Sequence, residues 1–284
     1  MPGCTIEIWP DIDKPDQVEF AIVWKQPAGS LAGYTNLKAI QCFGAGVDSI
    51  LSDVDLPDVP IARIVDPMLT ATMVRYLDGV VNHYRLRLDQ FGQLQRQQQW
   101  KPKSPRKLKQ LCVLGLGELG AAVATHFAQS GFSVSGWSRS AKSLAQVQCY
   151  TGNDGLTAAV ADTDVIICLL PLTMDTENLL NQSFFQQLKR GRIYINVARG
   201  AIVDDEALLQ ALNSGQLEAA CLDVFRQEPL PAEHPFWQHP AILITPHVSA
   251  VTNVSTIVQQ IAENYRRSQR GEMLLNPVDL SRGY

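Results

Sequence analysis

From Leu111 onward, short and almost wholly apolar runs alternate with amphipathic stretches, and this alternation constrains the fold more than any other feature. Residues 111–114, 132–137, 164–169, 192–196, 217–222 and 241–245 read as strands, and 121–129 and 204–213 between them read as helices. A strand with one face in water alternates apolar and polar residues, whereas a parallel strand covered by helices on both faces is apolar throughout. The second pattern dominates here. The segment is therefore expected to form a doubly wound α/β domain around a parallel sheet.

Before Leu111 the chain reads differently. Strand candidates at 5–9, 20–24, 37–43 and 61–65 have short connections. A long helix is expected next, from Met73, Leu77, Val80, Val81, Tyr84, Leu88, Phe91 and Leu94 at helical spacing. It runs out into a glutamine stretch and the solvated connection Lys101-Pro102-Lys103-Ser104-Pro105. A final helix over about 251–267 follows the last strand and is free to fold back onto the first domain. The chain's 284 residues suit two cores better than one.

Composition excludes several classes of partner. A net charge of −4 and no long Lys/Arg cluster argue against nucleic acid. No apolar run approaches the roughly 18 residues of a membrane span, and Met1-Pro2-Gly3-Cys4 lacks the basic-then-apolar pattern of a secretory signal. Six scattered cysteines, without a C-x-x-C pair or a histidine in ligand spacing, read as reduced thiols in the cytoplasm, and no metal is expected.

Gly115-Leu116-Gly117-Glu118-Leu119-Gly120 spells G-x-G-x-x-G directly after one strand and opening a helix. The first glycine permits a tight turn, the second lets the backbone approach a pyrophosphate, and the third lets the helix pack close to the strand. The helix N-terminus then faces the anion. A dinucleotide site is expected, with contacts from Gly115, Gly117, Glu118, Leu119 and Gly120. An NAD-preferring site places a carboxylate about 20 residues on. Here none occurs between Glu118 and Asp154, and the second strand ends in Trp137-Ser138-Arg139-Ser140 with Lys142 beyond. A cation and two hydroxyls suit a ribose 2′-phosphate. NADP(H) is the expected cofactor, read by Ser138, Arg139 and Ser140, with NAD(H) as the second choice. An exposed basic turn is the plain alternative.

Three further groups follow strand ends: Arg199, Glu228 and His247. Ligands of open parallel sheets bind beyond the carboxyl ends of the strands, so all three are candidates for one crevice. Hydride chemistry beside a dinucleotide on an acidic substrate requires a grip on a carboxylate and a group that exchanges a proton. A forked cation such as Arg199 suits the first task. A histidine suits the second, and a neighbouring glutamate holds its orientation. Singly, each has a plain reading: an arginine after a strand is commonly surface, and a glutamate before proline is commonly loop.

Taken together, the glycine motif, Asn196-Val197-Ala198-Arg199-Gly200, Leu222-Asp223-Val224-Phe225 with Glu228-Pro229-Leu230, and Thr245-Pro246-His247 resemble the D-isomer-specific 2-hydroxyacid dehydrogenases. The resemblance covers most of the chain from Gly44 on. It implies that Arg199 binds substrate, Glu228 orients and His247 is the acid/base. It implies further cofactor contacts from Leu170, Pro171, Val197, Ala198, Arg199, Asp223 (to the nicotinamide carboxamide) and His247. Backbone N–H groups of Ala45 and Gly46 would join Arg199 and His247 in holding the substrate, although a purely structural turn remains open there.

The implied architecture is a Rossmann cofactor domain over 71–249 plus a smaller, discontinuous flavodoxin-like substrate domain from 1–70 and 250–284. A homodimer built through the cofactor domain and the helix around 73–91 is also implied. Finer blocks, among them Gly44-Ala45-Gly46-Val47-Asp48 and Trp237-Gln238-His239-Pro240, are similar to the glyoxylate/hydroxypyruvate reductase A subgroup. The expected activity is NADPH-dependent reduction of a small 2-oxo acid to the 2-hydroxy acid. Another dehydrogenase of the family, such as a phosphoglycerate type, and a nucleotide-sensing corepressor stay open. The chain departs from the family at Met73-Val74-Arg75, where many members carry Ala-Glu, and before Gly44, where it matches poorly.

Overall fold

The computed structural model describes residues 4–284; Met1-Pro2-Gly3, the start of the segment read for a secretory pattern, lies outside the described residues. The chain divides into two compact units, one from residues up to Leu69 together with Thr252–Tyr284, the other from Thr70–Val251.

The larger unit is built on seven strands: β4 (Gln110–Leu114), β5 (Ser133–Trp137), β6 (Val147–Tyr150), β7 (Val165–Cys168), β8 (Arg192–Asn196), β9 (Leu217–Leu222) and β10 (Ile242–Ile244). Their order is β10-β9-β8-β7-β4-β5-β6, and every neighbouring pair is parallel. The chain thus reverses direction across the sheet between β4 and β7, as in a doubly wound fold.

Alternating side chains explain the unbroken apolar runs. Leu111, Val113, Ile167 and Ile195 pack with α2 (Pro67–Arg85) and α4 (Glu118–Gln129) through Leu77, Val81, Val123 and Phe127. Cys112, Leu114, Ile166 and Tyr194 face the opposite way, against Leu156 of α5 (Gly152–Val160), Phe185 of α6 (Gln182–Gln186) and Leu208 of α7 (Asp205–Asn213). β6 is a strand that the apolar pattern misses. It lies at the sheet edge and is only half-buried, so its sequence carries no continuous apolar run.

The single long helix expected here is two. α2 ends at Arg85 and α3 runs over Leu88–Arg96, with Arg87 left-handed between them (φ 60°). The Arg87 guanidinium donates to the Ser104 carbonyl (2.7 Å) and to Gln90 (3.2 Å), which holds the break. Both pieces are amphipathic, so periodicity alone joins them. α2 also begins before its apolar stripe, because Asp66 accepts the Met68 N–H (3.0 Å) ahead of Pro67 at the first helical position.

The smaller unit holds a three-stranded parallel sheet in the order β1 (Phe20–Val23), β2 (Ala39–Cys42), β3 (Ile61–Ala62), with the one-turn α1 (Asp48–Leu51) and the long α8 (Val254–Arg270). The strand expected at 5–9 does not form. Only an isolated bridge joins Ile8 to Asp11, Pro10 has no N–H to offer a ladder, and Ile6, Ile8 and Trp9 stand exposed. α8 is capped by Asn253, ends at Gly271 (φ 67°) and buries Ile257, Ile261 and Asn264. Asn264 donates to Gln41 of β2 (2.7 Å) and accepts the Leu275 N–H (2.6 Å), so a fully buried polar pair is satisfied. Among the described residues no helix is long and apolar enough to cross a membrane.

Candidate active site

The strand register lines up one row of terminal residues along the larger sheet: Tyr150, Trp137, Leu114, Cys168, Asn196, Leu222 and Ile244. Six of the expected site segments leave from this row or within a residue of it. They are 138–142, 115–120, 170–173, 197–200, 223–228 and 245–249. Arg199 follows β8, Asp223 and Glu228 follow β9, and His247 follows β10, three adjacent strands. Ala45 and Gly46 belong to the other unit, in the turn between β2 and α1. There the Cys42 thiol donates to the Gly46 carbonyl (3.2 Å), and the Gly44 carbonyl accepts the Ile64 N–H (2.9 Å).

In the segment 115–120, Gly115 turns with φ 101°, and a side chain there would stand 2.6 Å from the Leu169 carbonyl. A side chain on Gly120 would collide with the Gly115 carbonyl. Gly117, which caps α4, differs: a Cβ there meets no protein atom within 4 Å. Its lack of a side chain answers to nothing in the protein itself, which fits a backbone that a pyrophosphate must approach. Glu118 is exposed and Leu119 half-buried in the first turn of α4.

Ser138 is buried and donates to the Ser140 carbonyl (2.8 Å), while Thr151 donates to the Arg139 carbonyl (2.7 Å). The turn backbone is held while Arg139, Ser140 and Lys142 stand exposed. In the loop after β7, the Thr176 hydroxyl donates to the Pro171 carbonyl (2.7 Å) and accepts the Thr173 N–H (2.8 Å), which fixes the turn that follows Leu170.

The backbone leading to Arg199 is held by Asn196, fully buried at the end of β8. Its amide donates to the Arg199 carbonyl (3.1 Å) and accepts the Ala198 N–H (3.0 Å). Glu228 carries one oxygen to the Phe225 N–H (3.1 Å) and the other to His247 Nδ1 (2.8 Å). With Nδ1–H donating to the carboxylate, the ring is oriented and Nε2 is the nitrogen left for exchange with a ligand.

His247 itself is left-handed (φ 56°), a conformation that costs a residue with a side chain on the order of 1–2 kcal/mol and persists only where its surroundings impose it. Asp223 imposes it. Its carbonyl accepts the His247 N–H (2.8 Å), and its carboxylate accepts the Val248 and Ser249 N–H groups (both 2.9 Å) and the Thr245 hydroxyl (2.6 Å). A carboxylate offers about four acceptor positions. These three bonds leave one acceptor position unfilled, on a side chain that is fully buried. Sequence reasoning named Asp223 but missed Asn196 and Thr245 as supports, because both read as the last residues of apolar strands. Among the described residues no cluster of three or more His, Cys, Asp or Glu could hold a metal ion.

Residues 79–249 match the family described as D-isomer specific 2-hydroxyacid dehydrogenase, NAD binding domain. Glyoxylate/hydroxypyruvate reductase A of Yersinia enterocolitica is 38% identical over 292 residues, covering 100% of this chain and 93% of that protein. A D-isomer specific 2-hydroxyacid dehydrogenase from Xanthobacter autotrophicus, solved with NADPH and MES, superposes with a TM-score of 0.91 at 42% identity, covering 95% of this chain and 86% of its own. An NADPH-dependent glyoxylate/hydroxypyruvate reductase from Sinorhizobium meliloti, solved with NADP and sulfate, also reaches 0.91 at 33% identity, covering 97% and 90%.

Proposed function

The chain belongs to the D-isomer specific 2-hydroxyacid dehydrogenase family, and from that premise we propose that it reduces a small 2-oxo acid, glyoxylate or hydroxypyruvate foremost, to the 2-hydroxy acid with NADPH. The observation that carries this reading is the His247–Glu228 pair at 2.8 Å, on the same sheet edge as the glycine loop and Arg199. The substrate class is supported by relatives named for glyoxylate and hydroxypyruvate. NADPH is supported by the neighbours solved with NADPH or NADP and by the carboxylate-free, basic turn at Arg139.

When bound, the cofactor supplies a hydride to C2 of the substrate. The chain's residues do the rest. Gly115, Gly117 and the first turn of α4, Glu118 to Gly120, hold the pyrophosphate. Ser138, Arg139 and Ser140 take the 2′-phosphate, Leu170, Pro171, Val197 and Ala198 run along the cofactor, and Asp223 meets the nicotinamide carboxamide. Arg199 holds the substrate carboxylate through its forked donors. His247 Nε2 gives its proton to the carbonyl oxygen, while Glu228 keeps the ring in position. The assignment of Ala45 and Gly46 to the same carboxylate rests on the family resemblance alone.

The test is loss of NADPH absorbance on adding glyoxylate, hydroxypyruvate and a panel of longer 2-oxo acids. Turnover is expected, with higher kcat/KM for NADPH than for NADH. NADPH binding without turnover of any 2-oxo acid overturns the reading in favour of a sensor. A cytoplasmic setting suits the six free cysteines. A homodimer completes the reading, but the stripe Met73, Leu77, Val80, Val81 and Tyr84 is spent within the chain's own core, so that face of α2 cannot be its interface. A monomer mass in sedimentation at micromolar concentration counts against the dimer.

A further inference from the structure

α2 brings one hydroxyl to the segment that carries His247. Tyr76 Oη lies 2.6 Å from Thr245 Oγ1 and 3.4 Å from Cys221 Sγ, and Thr245 Oγ1 lies 2.6 Å from Asp223 Oδ1. Proton accounting gives this chain a direction. The Asp223 carboxylate only accepts, so the single Thr245 proton goes to it. Tyr76 must then donate to Thr245, and the Cys221 thiol to Tyr76. The order is Cys221 to Tyr76 to Thr245 to Asp223, with no acceptor served twice by one proton.

Burial holds these protons in place. It drives the Tyr76 hydroxyl far above the usual phenol range and pushes the Cys221 thiol up to about 12, so neither ionises at working pH. The chain ends on the carboxylate that accepts the Val248 and Ser249 N–H groups and so keeps His247 left-handed.

We propose that Thr245 and Tyr76 are positioning residues for His247, setting through Asp223 the pose in which its Nδ1–H meets Glu228. The proposal rests on the acid/base role given to His247. With the Thr245 hydroxyl gone, one carboxylate oxygen loses its shortest bond. The carboxylate can then rotate, and the loop can relax from its strained conformation. The imidazole would drift while the pyrophosphate loop stays put. Misplacement of a reacting group by about 1 Å costs up to about 10²-fold, which bounds the effect.

Thr245→Val keeps the shape and removes the hydroxyl, Thr245→Ser keeps the hydroxyl, and Tyr76→Phe removes only the donor behind it. For Thr245→Val we expect kcat to fall by about tenfold, with KM for the oxo acid within about twofold and the Kd for NADPH raised by a smaller factor than kcat falls, because Asp223 also faces the carboxamide. Tyr76→Phe should fall by a smaller factor. The double variant should be no worse than Thr245→Val, because both act on one chain. Thr245→Ser should restore the parent rate.

A second readout needs neither cofactor nor turnover. Long-range ring 1H–15N spectra, with His247 assigned by its absence from His247→Ala, should show the Nδ1–H tautomer in the parent and Thr245→Ser. Thr245→Val should show a mixture. Parent kcat and an unchanged tautomer in Thr245→Val overturn the proposal, as does a loss that appears in NADPH affinity instead. If His247→Ala itself still turns over at the parent rate, the reading of the active site has failed. The tautomer measurement then still decides whether the chain sets the pose of the ring. Should Thr245→Val not fold, the same comparison is made between Tyr76→Phe and Thr245→Ser.

Discussion

The seven-stranded unit and the three-stranded unit solve the same problem, covering a parallel sheet, by different means. In the larger, helices α4, α5, α6 and α7 follow β4, β6, β7 and β8, and two separate apolar layers close the faces. Strand ends fall in one row, and the loops of the candidate site spring from it. In the smaller, the sheet is short and carries a buried glutamine, Gln41, whose amide oxygen is met by Asn264, 223 residues away. The difference teaches where tolerance lies. A site at the strand ends takes its precision from the loops of adjacent strands meeting one another and from α2 reaching them, whereas the small sheet depends on the far end of the chain returning to it.

That comparison can be broken at several points. The largest effect is expected at the sheet edge: His247→Ala should cost at least about 10²-fold in kcat and leave NADPH affinity nearly unchanged. Loss of affinity with an intact kcat would remove the edge from the chemistry. Next, Arg139→Ala should weaken NADPH relative to NADH by about 1–3 kcal/mol in kcat/KM, the contribution of a charge-assisted bond to phosphate. Equal losses for both cofactors would end the assignment of that turn.

In the smaller unit, Asn264→Ala should lower stability by about 1–3 kcal/mol, since the Leu275 N–H and the Gln41 amide lose their partner in a buried place. Denaturant unfolding reads the loss, and the folded variant should keep the parent's kcat. A variant as stable as the parent would show that the far chain end is dispensable to the small sheet.

The smallest effect is expected at Asp205, in the larger unit. Burial raises its carboxyl above the ordinary range, against the opposing pull of Arg226 and His234. The folded protein therefore holds this proton more tightly than the unfolded chain, and stability from this group is lost as pH rises from the ordinary carboxylate range through the raised value. Asp205→Asn should be slightly more stable than the parent at neutral pH, and the gain should vanish below that range. A gain that persists in acid would have another cause.

Much of the larger unit was readable in advance because its signals are local. β8 and β9 have the bounds expected of them, and the other anticipated strands differ by one or two residues at their ends. β6 escaped because an edge strand is half wet and keeps no apolar run. The split of the long helix escaped because its cause, a left-handed Arg87 anchored on Ser104, leaves the apolar periodicity intact. In the smaller unit the expected strand at 5–9 failed for the converse reason. Its residues have strand-like composition, but no neighbouring strand covers them.

The sequence by itself determined the family, the parallel sheet, the glycine turn and which residue types stand at the strand ends. These follow from the 2- and 3.6-residue periods and from motifs whose members are close along the chain. Tertiary structure alone decided that the strand ends align, that Glu228 meets His247 at 2.8 Å, that His247 is left-handed, and that Tyr76 reaches Thr245 across 169 residues. The reason is physical. Burial of a face is written into each segment by its own pattern of polarity. A hydrogen bond between side chains from distant segments exists only once packing has brought their atoms within about 3 Å in the right direction, and no periodicity records that distance.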